Sequence, residues 1–144
     1  MKILSLLFFT LFLGKGCDSV KSQEATTAVI EYVANSRGFH QTIIIQNQTI
    51  SISKDRNPDI KPVTTKISNA DWKILVAEFQ KIKLEEVPNL KSPTEKRFYD
   101  GAAIANLKIT IKGKTYETPA FDHGFPPAKI AKLVNKINSF VKKE

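Results

Sequence analysis

Apolar and polar positions alternate with a period of two through the early part of the chain and recur with a helical period in two later stretches. From Ala28 to Ala34, Ile30 and Tyr32 fall on one side and Val29, Glu31 and Val33 on the other, which predicts a strand. Asn35-Ser36-Arg37-Gly38 supplies the turn after it. Phe39 to Gln46 predicts a second strand and Thr49 to Lys54 a third, with Asn47-Gln48 as the connection. A two-residue loop there puts Ile45 opposite Ile50 and Ile43 opposite Ile52, so that four isoleucines share one face of an antiparallel sheet. Val63 to Ile67 can add a short fourth strand.

The period then changes. Ser68 and Asp71 have the spacing of a capping box, and Trp72, Leu75, Val76, Phe79 and Ile82 follow as one apolar stripe of a helix ending near Lys83. Residues 84–101 hold Pro88 and Pro93 and no period, and read as a long loop of the kind that is disproportionately functional or mobile. Ala102 to Lys112 alternates again, with Leu107, Ile109 and Ile111 on one face. Taking Gly113-Lys114 as a hairpin loop sets Ile111 opposite Tyr116, Ile109 opposite Thr118 and Leu107 opposite Ala120. Pro119 has no amide proton, so its strand is an edge or is bulged there. From Pro127 to about Val141, Ile130, Leu133, Val134, Ile137, Phe140 and Val141 form the stripe of a second helix. The fold expected is α+β: a single antiparallel sheet of about five or six strands, in the order β-β-β-(β)-α-β-β-α, with two amphipathic helices packed on one face.

The first seventeen residues follow a different rule. Lys2 precedes an apolar run from Ile3 to Leu13, which is too short to cross about 30 Å of hydrocarbon and reads as a signal segment. It leads through Gly14-Lys15-Gly16 to Cys17, the one cysteine of the chain. A lone thiol after a small residue at this place resembles the acceptor cysteine of bacterial lipoproteins. Gly16 fits the lipobox, while Gly14 and Lys15 depart from its usual leucine and small residue; such loosened boxes are similar to those of Bacteroidetes-type lipoproteins. The resemblance implies a signal peptide over residues 1–16 and a diacylglyceryl thioether on Cys17. It places the protein in the cell envelope, anchored to a membrane and facing the periplasm, with inner or outer membrane left open. Acylation also removes a thiol that would form intermolecular disulfides in an oxidising compartment. Residues 17–27 then read as the lipidated cysteine and a polar tether, and residues 28–144 as a single domain.

Composition narrows the partners. The chain has 22 basic residues against 14 acidic ones; Lys2 and Lys15 leave with the signal, so the net charge falls from +8 to +6. In an exported chain with scattered lysines this excess gives no basis for nucleic-acid binding and points to anionic lipid, a glycan or an envelope protein, or to a solvated surface. At helical spacing Lys129, Lys132, Lys136 and Lys143 lie along one boundary of the second stripe as a basic ridge, which either snorkels beside the core or meets an anionic partner.

Candidate chemistry is sparse. Asp55, Asn57 and Asp59 imitate the start of a calcium loop, but Pro58, Ile60 and Lys66 stand where that loop needs other residues. His40 and His123 are the two histidines, they are far apart in sequence, and no zinc or other cofactor is expected. The second hairpin brings Arg97, Tyr99 and Asp100 toward Asp122, His123 and Phe125, and these six form the candidate binding surface. No catalytic residue is assigned. The layout is similar to that of small uncharacterised bacterial lipoproteins, and the function expected is a lipid-anchored, non-enzymatic binding or interaction module. The alternatives are a small envelope hydrolase using the Asp122/His123 loop and a structural stress or assembly factor of the envelope.

Overall fold

The computed structural model describes Ala25 and residues 27–141. The signal segment, Cys17, most of the tether and Lys143 lie outside the described residues. Seven strands form one antiparallel sheet: β1 (Val29–Ser36), β2 (Phe39–Gln46), β3 (Thr49–Ser53), β4 (Val63–Lys66), β5 (Ile104–Ile111), β6 (Lys114–Glu117) and β7 (Phe121–Asp122). Across the sheet they run β4-β3-β2-β1-β5-β6, with β7 also paired to β5. Helix α1 (Asn69–Gln80) enters between β4 and β5, and α2 (Ala131–Ser139) ends the fold. This is the α+β architecture that the periodicities predict.

The first hairpins keep the expected register. Ile43 pairs with Ile52 and Ile45 with Ile50. Asn47 and Gln48 both take positive φ, 51° and 61°, the backbone that a tight two-residue loop demands for its twist to match the strands. On the helix-facing side Ile30, Tyr32, Ile43, Ile45, Leu107 and Ile109 are fully or almost fully buried. They meet Leu75 and Phe79 of α1 and Leu133, Val134 and Ile137 of α2 in one core. The opposite face is open and carries a Glu31 to Lys108 ion pair at 2.9 Å.

The fold also reaches upstream of the first alternating strand. Ala25 is 2% exposed and belongs to the core, although the polar run around it gives no periodic signal. Helix α1 starts as its capping box requires: Ser68 Oγ accepts from the Asp71 amide at 3.2 Å and donates to the Asp71 carboxylate at 2.9 Å. It ends at Gln80, a little before Lys83. Residues 84–101 are more structured than their two prolines suggest. They form two 3-10 turns, Leu84–Asn89 and Lys96–Tyr99, and the first buries Val87 completely. A similar 3-10 turn, Ala128–Ile130, leads from Pro127 into α2.

The second hairpin differs from the expected register by two residues. Its turn is Lys112-Gly113, with φ 50° and 77°, so Ile111 pairs with Lys114 and Ile109 with Tyr116. Glycine belongs at the second position of such a turn, where left-handed backbone costs it nothing. A shift of two preserves the face of every side chain, which is why the apolar face survives the error. One extra residue is then absorbed around Pro119: Lys108 pairs with Glu117, yet Ala105 pairs with Phe121. At this bulge the Thr118 hydroxyl accepts from the buried Leu107 amide at 3.0 Å, a place that a main-chain carbonyl would otherwise fill. Thr118→Val keeps the shape and removes the acceptor. It is expected to destabilise the domain by about 1–3 kcal/mol, because a buried amide is left unpaired. Urea unfolding measures this, and an unchanged midpoint would show the hydroxyl to be dispensable.

Candidate functional site

Strand β7 and the turn after it set up the site by simple alternation. Phe121 faces the core beside Tyr32, with ring centroids 6.2 Å apart. Asp122 therefore points to the other side of the sheet and His123 back toward the core. Gly124, at φ 90°, lets the chain reverse so that the Phe125 amide donates to the Asp122 carbonyl at 2.9 Å. The expected convergence of two loops is present, but the partners divide.

Asp122 has no exposed surface, and its carboxylate clasps the preceding loop. It accepts from the Thr94 hydroxyl, from the Lys96 amide at 2.6 Å, from the Arg97 amide at 3.1 Å and from the Arg97 guanidinium at 3.0 Å. Burial alone would raise its pKa, but the Thr94 hydroxyl, the Arg97 guanidinium and the two amides outweigh burial and hold it at about 2. Arg97 also donates to Thr94 and Ser92, which makes Asp122 and Arg97 the anchor of the 92–97 segment. The clasped turn projects Phe98 and Tyr99, more than two-thirds exposed, and Arg97 lies 4.4 Å from the Phe98 ring centroid. Asp100 closes the turn in left-handed conformation, and Lys96 sits 4.1 Å above the half-exposed ring of Phe125.

His123 belongs to a different set. Its Nδ1 lies 2.7 Å from the Tyr32 hydroxyl, and its ring stacks at 5.2 Å on Phe39 and at 5.9 Å on Tyr32. Burial raises the Tyr32 pKa to about 12 against a smaller lowering by the Asn138 side chain, so the phenol keeps its proton and shares a hydrogen bond with Nδ1. Burial also lowers the pKa of His123, which favours the neutral ring. Among the described residues no buried polar side-chain atom lacks a partner, so Nε2, which has none there, is open to solvent. A second pair lies beside the same groove: Asn138 Oδ1 accepts from Gln41 Nε2 at 2.7 Å, and Asn138 Nδ2 donates to the Val134 carbonyl at 3.1 Å.

These two pairs, Tyr32 with His123 and Gln41 with Asn138, underlie an open groove of about 640 Å³ between the start of β2, the loop after β7 and the end of α2. Gly38, Phe39, His40, Lys54, Gly124, Val134, Asn135 and Val141 complete its wall. Arg56 holds the entrance by donating to the carbonyls of Ser36, Arg37 and Phe39. The spacing of Asp55, Asn57 and Asp59 has a local cause: two side-chain turns, with Asn57 N donating to Asp55 at 2.8 Å and Asp59 N to Asn57 at 3.0 Å. No cluster of metal-ligating side chains occurs among the described residues.

Of the six residues expected to form one surface, the structure joins Arg97 to Asp122 and brings Phe125 beside Lys96, while His123 lines the groove. Tyr32, Gln41, Phe39, Asn135 and Asn138 escape a reading of the sequence. A signal for three of them does exist: Tyr32 and Gln41 occupy core-facing parity, where a phenol or an amide must find a partner, and Asn138 sits beside an apolar stripe. In the basic ridge, Lys129 pairs with Glu86 at 2.8 Å and Lys136 with Asp71 at 2.7 Å, tying α2 to its neighbours. Lys132 is exposed. Among the described residues no helix is long and apolar enough to cross a membrane. Comparison with protein-family models, with curated proteins and with solved structures finds no match to this chain.

Proposed function

We propose that the chain is a lipid-anchored protein of the bacterial cell envelope whose domain is a non-enzymatic binding module, with its ligand seat in the groove beside His123. The observation that carries this reading is the groove itself: an open site backed by pre-paired neutral side chains and, among the described residues, lined by no carboxylate. Pre-paired groups lose little entropy when a ligand arrives, which favours recognition. A hydrolase built on Asp122 and His123 would need the two to act together, and they face opposite sides of the sheet with Asp122 fully engaged.

The anchor rests on the signal segment and Cys17. More than one acyl chain makes such an anchor stable where a single chain does not. In a Gram-negative host the wild-type chain is expected in the membrane fraction with an acyl-modified Cys17 by intact mass, and Cys17→Ser in the aqueous fraction with no lipid. Identical fractionation of the two proteins, or an unmodified thiol on the wild type, would overturn the anchor.

A further inference from the structure

We propose that the groove beside His123 is a saccharide site, selective for neutral, hydroxyl-rich sugars over charged ligands. The assignment deepens the binding-module reading and rests on it. The first argument is charge. The last turns of α2 and the residues after it bring Asn135, Asn138 and Val141 to the groove, and the negative end of the helix dipole disfavours anions there. The opposite wall carries Lys54, which disfavours a cation. With no carboxylate in the lining among the described residues, and with Lys54 set against the negative end of the helix dipole, neither sign of ligand charge finds a matched field.

The second argument is shape and hydrogen bonding. A sugar ring offers a C–H face and an equatorial belt of hydroxyls that both donate and accept. Phe39, 37% exposed and stacked on His123, supplies an apolar platform for the face. Nε2 of His123, which donates or accepts according to its tautomer, and the exposed amide of Asn135 supply polar contacts for the belt. Tyr32 holds the imidazole and Gln41 holds the Asn138 amide, so these polar groups keep their positions when the site is empty. A volume of about 640 Å³ suits a short oligosaccharide and lies within the usual range of small-ligand sites.

The test is titration of the isotope-labelled chain, as purified from its host, with N-acetylglucosamine oligomers and maltotetraose, followed by amide and imidazole chemical shifts. Sulfated oligosaccharide, inorganic phosphate, an apolar peptide library and anionic vesicles serve as the charged and non-saccharide arms. Expected is binding of at least one neutral oligosaccharide with a dissociation constant between about 10 µM and 10 mM. Shift changes should centre on Phe39, His123 and Asn135. Phe39→Ala and Asn135→Ala alter exposed side chains, so the fold should persist, and each should weaken binding by about tenfold. Silence toward every neutral saccharide, shifts that map elsewhere, tighter binding of the charged arms, or unchanged affinity in both variants would each overturn the assignment. If peptide or vesicle titrations move the same groove residues while sugars do not, the binding module stands and the saccharide falls; if nothing moves them, both fall.

Discussion

Replacing Asp122 with alanine is expected to destabilise the domain by about 3–5 kcal/mol, the range for breaking a buried ion pair from one side. The loss has several components. Arg97, with a side chain only 14% exposed, keeps its charge and loses its counter-ion, and the amides of Lys96 and Arg97 lose their acceptor. Against a typical total of about 5–15 kcal/mol this threatens folding at ambient temperature. Asp122→Asn is expected to be nearly as harmful, since all four partners donate and the new amide would turn an N–H toward one of them. Urea unfolding decides it, and a loss below about 1 kcal/mol in both variants would mean that the clasp is not what holds the 92–97 segment.

The same carboxylate gives a pH signature. Its folded pKa of about 2 lies below the ordinary 3.8, so between those values the unfolded chain binds the proton more readily and stability falls as pH falls. The contribution is complete above about pH 4 and gone near pH 2. His123 acts in an earlier window: its folded pKa is depressed, so acidification through 6.5 already favours the unfolded state. The difference in stability between wild type and Asp122→Ala isolates the first effect. It should stay flat from neutrality to about pH 4 and shrink below it.

Tyr32→Ala is expected to lose about 3–5 kcal/mol, the cost of emptying a large aromatic site in a packed core. Tyr32 is fully buried between Phe121 and His123 on the central strand, where no neighbour can move in to fill the space. Tyr32→Phe separates packing from hydrogen bonding. It keeps the ring and removes the hydroxyl at 2.7 Å from His123, for an expected loss of about 1–3 kcal/mol. The phenylalanine variant should also free the imidazole to change tautomer, which a nitrogen shift of His123 reads directly. A stability loss in Tyr32→Phe with an unchanged His123 tautomer would separate the phenol from any role in orienting the ring.

How much of this was legible in the chain depends on whether the interaction is local. Strand and helix identities follow from periods of two and 3.6, and the register of β2 with β3 follows from one tight turn between isoleucines on matching parity. The cap at Ser68 and the break at Pro119 follow from single residues whose backbone chemistry allows few alternatives. The register of the second hairpin failed because two adjacent dipeptides contain the same glycine, and both preserve the apolar face. Only the φ values of Lys112 and Gly113 separate them.

By itself the sequence determined the element order, the one-sided sheet and the two stripes that cover it, since alternation and helical spacing dictate which faces must leave water. It also carries the apolar run and the cysteine from which the proposed anchor is read. Tertiary structure alone decided that Asp122 and His123, neighbours in the chain, serve opposite faces of the sheet. It decided too that His123 pairs with Tyr32, 91 positions away, and Gln41 with Asn138, 97 positions away. Buried polar groups must be paired, and the partner that satisfies each is chosen by packing across the sheet and not by proximity in sequence.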